Sequence, residues 1–125
     1  RLEEQVVFLG WREDIPQLMA ASDIMALATL RDPYPTVVLE AMAAGLPVIT
    51  TRAGGSIEIV REGSTGLLVQ FNDHQEMAQA LLLLAANPER MRAMGRAGRQ
   101  QVERYASLKT FADALQHVYQ QVLEV

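Results

Sequence analysis

Asp32 and Glu40 bracket the seven residues Pro-Tyr-Pro-Thr-Val-Val-Leu, and the run passes from a proline-rich loop into a short helical pattern that stops at Gly45. The first amides of a helix have no acceptor within it and lie at the positive end of its dipole, so they favour phosphate oxygens. A carboxylate one turn further in accepts hydrogen bonds from a ribose. Loop, helix start and Glu40 together make a site for a nucleoside diphosphate. Asp32 and Glu40 are the candidate acids. Tyr34, Pro35, Thr36 and Val37 are candidate binding residues, with Gly54 and Gly55 in a second loop. Glycine has no side chain in the way and tolerates unusual torsions, so that turn permits close backbone approach. The plainer alternatives are a solvated loop carboxylate for Asp32, an exposed helix residue for Glu40 and an ordinary tight turn at Gly54-Gly55.

Short apolar runs at Val6–Leu9, Ile24–Ala28, Pro47–Thr50 and Leu67–Val69 read as four buried strands. Between them, Asp14 with Pro16 opens a helix to about Ala21. Thr36–Ala44 is helical, and Ser56 caps a short helix over roughly Ile57–Arg61. Helices alone follow. Asp73 and Glu76 form a capping box for a helix through Ala85, and Asn87-Pro88 opens one to about Tyr105. Ser107 starts the last, where Leu108, Phe111, Leu115, Val118 and Val122 fall at helical spacing and imply one buried face. Strands alternating with helices mean an α/β fold, a Rossmann-like parallel sheet of about four strands with flanking helices and further helices at the C-terminal end. Ligands of such sheets lie beyond the carboxyl ends of the strands, the side on which the loops at 29–36 and 51–56 emerge.

A chain of 125 residues with half its residues hydrophobic has room for one domain, residues 1–125, with a real core. The net charge of −4 gives no footing for a nucleic-acid partner. With no cysteine, disulfides and thiolate metal sites are excluded, which fits a cytoplasmic protein. His74 and His117 lack acidic or histidine partners at ligand spacing, so no bound metal is expected. Arg92, Arg96 and Arg99 share a helical face that reads as solvated, with an anionic-lipid or acidic-partner surface as the alternative. The sequence begins without methionine, immediately before an apolar run, and reads as a piece of a longer protein.

The whole chain resembles the donor-binding, C-terminal domain of retaining glycosyltransferases of the two-domain GT-B architecture, family 4 (glycosyl transferases group 1). Glu40-Ala41-Met42-Ala43-Ala44-Gly45-Leu46-Pro47-Val48 matches the family's Glu-Ala-Met-Ala-x-Gly-x-Pro-Val run, the second half of its Glu-x7-Glu motif. Val7-Phe8-Leu9-Gly10, Ala21-Ser22-Asp23, Gly54-Gly55-x-x-Glu58-Ile59-Val60, Gly63-x-x-Gly66-Leu67-Leu68-Val69 and Asp73 surround it in family order. The resemblance implies a nucleotide-diphosphate sugar, such as a UDP- or GDP-sugar, as donor, hexose transfer with retention, and no metal. It gives Glu40 the ribose hydroxyls, Asp32 the donor sugar, and the amides of Thr36 and Val37 the diphosphate. Neither acid needs to be a covalent nucleophile; both bind and orient. Such transferases serve polysaccharide biosynthesis.

Asp32 stands where the family more often has Glu, and Pro33 replaces a glycine, removing an amide donor. The family's Gly-Arg and Lys, which clamp the diphosphate from earlier strand–helix units, have no counterpart. The chain alone is therefore expected to bind donor weakly and to be inactive, with the acceptor site in a missing N-terminal domain. The family sheet runs 3-2-1-4-5-6; with four strands the chain lacks the two between Val6–Leu9 and Ile24–Ala28. Either the first strand moves beside the second, or a second copy pairs with the open edge, giving a homo-oligomer. Membrane-surface association of the parent is a further expectation. The alternatives are a non-catalytic interaction module keeping the half-fold, or a sugar-nucleotide epimerase of the same architecture.

Overall fold

The computed structural model describes residues 2–123. Three strands, β1 (Met25–Leu27), β2 (Val48–Thr51) and β3 (Gly66–Val69), form one parallel sheet in the order β1-β2-β3. Ala26 stands beside Ile49, and Ile49 beside Leu67. β2 is buried along its whole length, as the central strand of a covered parallel sheet must be.

On one face lie the helices α1 (Ile15–Ala20), α2 (Thr36–Ala43) and α3 (Ser56–Ile59), where Met19, Val38, Met42, Val48, Ile59 and Leu68 make one cluster of the core. On the other, α4 (His74–Ala85) closes Ile49, Leu67, Val69, Ala80 and Leu84 into a second cluster together with Met94 of α5 (Pro88–Tyr105). α5 serves both clusters, since Val102 packs against the first. Its approach to α2 is close: a Cβ on Gly95 would lie 2.0 Å from the Gly45 carbonyl oxygen, whereas one on Gly98 would make ordinary contact with the Met42 side chain. The last helix, α6, covers Leu108–Leu123.

Local sequence explains the boundaries. Asp73 caps α4 by accepting from the Glu76 amide at 2.8 Å, and Asn87 caps α5 by accepting from the Arg90 amide at 3.0 Å with Pro88 at the first position. Gly45 follows α2 at φ +84°, the left-handed stop expected there.

Several expectations are corrected. Val6–Leu9 is not a strand, so the sheet has three strands and not four. The run neither pairs beside β1 nor packs inward; Val7 is 74% and Phe8 95% exposed. An apolar run becomes a strand only where a neighbour supplies hydrogen bonds, and β1 pairs with β2 alone. α6 is helical as expected, but no described residue covers its apolar face: Leu108, Phe111, Leu115, Val118 and Val122 are all exposed. Ser56 lies within α3 with Gly55 at the cap position, and its buried Oγ pairs at 3.2 Å with the Thr50 hydroxyl. Half of the expected capping box forms, because the Glu76 carboxylate takes the Gln70 amide. Asp14 precedes α1 without capping it, since its carboxylate accepts from Arg12 Nε at 2.7 Å. That pairing holds Asp14 below the ordinary carboxylate range and raises Arg12.

Candidate functional site

The loop after β1 carries Asp32 and is fastened at both ends. At its start, buried Thr51 at the end of β2 donates its hydroxyl to the Thr29 carbonyl and accepts from the Thr29 amide at 3.1 Å. Further along, the Gly55 amide donates to the Asp32 carbonyl at 3.0 Å. The Asp32 carboxylate itself accepts from the Tyr34 amide at 3.1 Å, a local turn that leaves its other oxygen unengaged.

Gly54 and Gly55 are required by this neighbouring loop. Gly54 has φ +53°, and a Cβ on it would stand 2.1 Å from the Asp32 carbonyl oxygen. A Cβ on Gly55 would stand 2.3 Å from that of Pro33. Backbone lies on backbone, so no side chain can yield. The two loops inferred to converge do so, through Asp32, Pro33, Tyr34, Gly54 and Gly55.

Pro35 is buried and occupies the cap position of α2 without a side-chain cap. Among the described residues no protein group takes the amides of Thr36 and Val37, and Thr36 is exposed. Glu40 is also exposed and lies four residues on, hence on the same face as Thr36, one turn deeper. An open helix start with an acid below it can hold an anion at the amides and hydroxyl groups at the carboxylate.

The remaining geometry separates residues that sequence spacing had grouped. Glu40 borders a cavity of about 440 Å³ between α1 and α2, with Ile15, Pro16, Met19, Ala43 and Ala44. Tyr34 turns the other way, into a cavity of about 190 Å³ bounded by α3 and α5, with Glu58 and Gln101. A third cavity, about 250 Å³, lies beyond the strand ends against Ala28, Thr51 and Val69, and none of the candidate residues lines it. None of Ile15, Pro16 and Met19 was a candidate site residue from sequence; Pro16 was read only as the opening of the helix, and the signal of Ile15 and Met19 is apolar spacing on α1. Among the described residues no group of three His, Asp or Glu side chains is placed to hold a metal ion. No described helix is long and apolar enough to cross a membrane.

Residues 1–101 match the family described as glycosyl transferases group 1. The chain belongs to that family. It is 34% identical over 122 residues to the N-acetyl-alpha-D-glucosaminyl L-malate synthase of Bacillus anthracis, covering 98% of this chain and 32% of that protein. Its fold superposes on sucrose-phosphate synthase from Thermosynechococcus elongatus with a TM-score of 0.91 at 30% identity, over 98% of this chain and 31% of the other. It also superposes on Anabaena HepE in complex with UDP, with a TM-score of 0.86 at 31% identity, over 99% of this chain and 34% of the other. HepE has likewise been solved with UDP-glucose, at a TM-score of 0.83 and 31% identity over the same shares of the two chains, 99% and 34%. The chain thus spans about a third of the length of these proteins.

Proposed function

We propose that this chain is the donor-binding part of a glycosyltransferase that moves a hexose from a nucleotide-diphosphate sugar to an acceptor with retention. The observation that carries the reading is the uncapped start of α2 with Glu40 one turn below it, in a chain of this family. The diphosphate meets the amides of Thr36 and Val37, the ribose hydroxyls donate to Glu40, and the donor sugar meets Asp32. Tyr34 and Pro35 shape the loop, and the Gly54-Gly55 turn holds it. As the leaving diphosphate gains charge, the helix start stabilises it without a metal ion.

HepE, a structural neighbour, is solved with UDP and with UDP-glucose, which supports a nucleotide-sugar donor. The acceptor site belongs to an N-terminal domain outside this chain, which also supplies the cationic clamp. Without that clamp, each missing charge-assisted hydrogen bond costs roughly 1.5–3 kcal/mol, so the chain by itself is inactive and binds donor weakly. The protein works in the cytoplasm, near the membrane surface in the service of polysaccharide biosynthesis, and its open sheet edge at β1 is the place for self-association.

Calorimetric titration of the full-length protein with UDP and GDP tests the reading. Glu40→Gln keeps the size of the side chain and removes its charge; it should weaken the preferred nucleotide about tenfold or more, the equivalent of one charged hydrogen bond. If neither nucleotide binds, or Glu40→Gln binds as the parent does, the transferase reading fails and a non-catalytic module is the better account.

A further inference from the structure

We propose that the cavity between the α3–β3 turn and the C-terminal half of α5 binds a sugar phosphate, away from the two candidate acids. The cavity holds about 230 Å³ and is bordered by Arg61 and Ser64 of the turn and by Gln101, Arg104 and Tyr105 of α5. Neither Asp32 nor Glu40 lines it.

Two guanidinium groups converge there. Arg61 and Arg104 each stand 5.9 Å from the centroid of the same Tyr105 ring. Their like charges repel, yet among the described residues no carboxylate lies within ion-pair distance of either. The acids nearby in sequence are engaged elsewhere: Glu62 holds Arg52 at 3.0 Å, and Glu103 holds Arg99 at 2.9 Å. Stacking on one aromatic ring orients both forks and leaves their N–H edges for a bidentate oxyanion. The turn is rigid, since the Ser64 and Thr65 amides donate to the Arg61 carbonyl at 3.0 and 2.9 Å and the Arg61 amide donates to Thr65 Oγ1 at 3.0 Å.

The wall beside the arginines is fixed, since Gln101 donates Nε2 to the Ile59 carbonyl at 2.6 Å. The Ser64 hydroxyl at the rim, without a protein partner among the described residues, is free to meet a hydroxyl of the ligand. A sugar phosphate supplies the anion for the arginines and that hydroxyl, and its size is in keeping with the cavity.

The test uses the full-length protein at fixed ionic strength, with UDP saturating so that phosphate does not enter the donor site. Glucose 6-phosphate and inorganic phosphate are titrated calorimetrically; vesicles of phosphatidylcholine with and without phosphatidylinositol 4-phosphate are assayed by co-sedimentation. Glucose 6-phosphate should bind, and the double variant Arg61→Gln, Arg104→Gln should lower its affinity by about a hundredfold, roughly tenfold for each charged contact. Ser64→Ala should weaken glucose 6-phosphate and leave inorganic phosphate unchanged. Retention on phosphoinositide vesicles alone, lost in the double arginine variant, supports the same site with a headgroup as its occupant. Binding of none of these probes, or binding that the double variant leaves intact, overturns the proposal. Because both arginines stand apart from Asp32 and Glu40, failure of nucleotide binding would leave this result readable.

Discussion

Gly54→Ala and Gly45→Ala form a matched pair that isolates the contact holding Asp32 in place. Both glycines have positive φ, +53° and +84°, so an alanine at either position pays for left-handed backbone, about 1–2 kcal/mol. At Gly45 nothing lies within 4 Å of the new Cβ, and that strain is the whole folded-state effect. At Gly54 the new Cβ would sit 2.1 Å from the Asp32 carbonyl oxygen, so one loop must retreat by roughly 1 Å to restore ordinary contact. Retreat breaks the bond from the Gly55 amide to the Asp32 carbonyl, about 1 kcal/mol net, and the overpacking adds about 1–3 kcal/mol. Gly54→Ala should therefore cost about 2–4 kcal/mol more than Gly45→Ala in urea denaturation. It should also weaken UDP-glucose more than UDP, because the displaced residue is the one assigned to the sugar. Equal losses of stability in the two variants would show that the loops slide apart freely, and the geometry given for Asp32 would then explain nothing about binding.

The same logic applies to the two glycines of α5. Gly95→Ala should destabilise by about 3 kcal/mol or more on thermal unfolding, because its Cβ would stand 2.0 Å from the Gly45 carbonyl, whereas Gly98→Ala, against a movable Met42 side chain, should be neutral or gain about 0.5–1 kcal/mol from helix propensity. Thr51→Val removes both hydrogen bonds to Thr29 while keeping the shape of the side chain, and should cost about 1–3 kcal/mol in the same assay. Asp14 has its folded pKa lowered by Arg12, so the pair is intact above the ordinary carboxylate range and is lost only as pH falls through the lower folded value. A carbon-detected NMR titration should show Asp14 protonating below the ordinary carboxylate range, and Arg12→Gln should bring it back up.

Residues that act through their immediate neighbours were legible in the sequence. Asp73, Asn87, Pro88 and Gly45 set helix ends by local chemistry, and they lie where their spacing put them. The apolar runs at 24–28, 47–50 and 67–69 became strands because each finds a parallel neighbour. Val6–Leu9 has the same composition and finds none. The periodicity of α6 was read correctly as one apolar face, but periodicity records that a face wants cover, not that cover is present. At the candidate site the Gly54-Gly55 turn was legible as a place of close approach; that the approaching backbone belongs to Asp32 and Pro33 is a tertiary fact. Arg92, Arg96 and Arg99 drew notice because they share a helical face, yet Arg99 is paired to Glu103 and all three are solvated. Arg61 and Arg104 went unnoticed because 43 positions of sequence separate two side chains that meet over one ring.

The spacing from Asp32 to Glu40 has a physical reason that neither residue alone supplies. Four residues carry the chain from the fastened carbonyl of Asp32 to the open amide of Thr36, and four more make one helical turn, about 6 Å of rise, to Glu40. The two acids flank the start of α2, so a ligand touching both would cross its open amides. The turn cannot change by a single residue. One residue inserted between Thr36 and Glu40 would rotate the carboxylate by about 100° into the direction now taken by Ala41. Ala41 is fully buried against the sheet with Val38 and Met42, so the charge would be driven into the core. Burying an unpaired carboxylate there costs several kcal/mol, which is more than the site gains from any single hydrogen bond. The packing of α2 therefore fixes the position of the acid relative to the helix start.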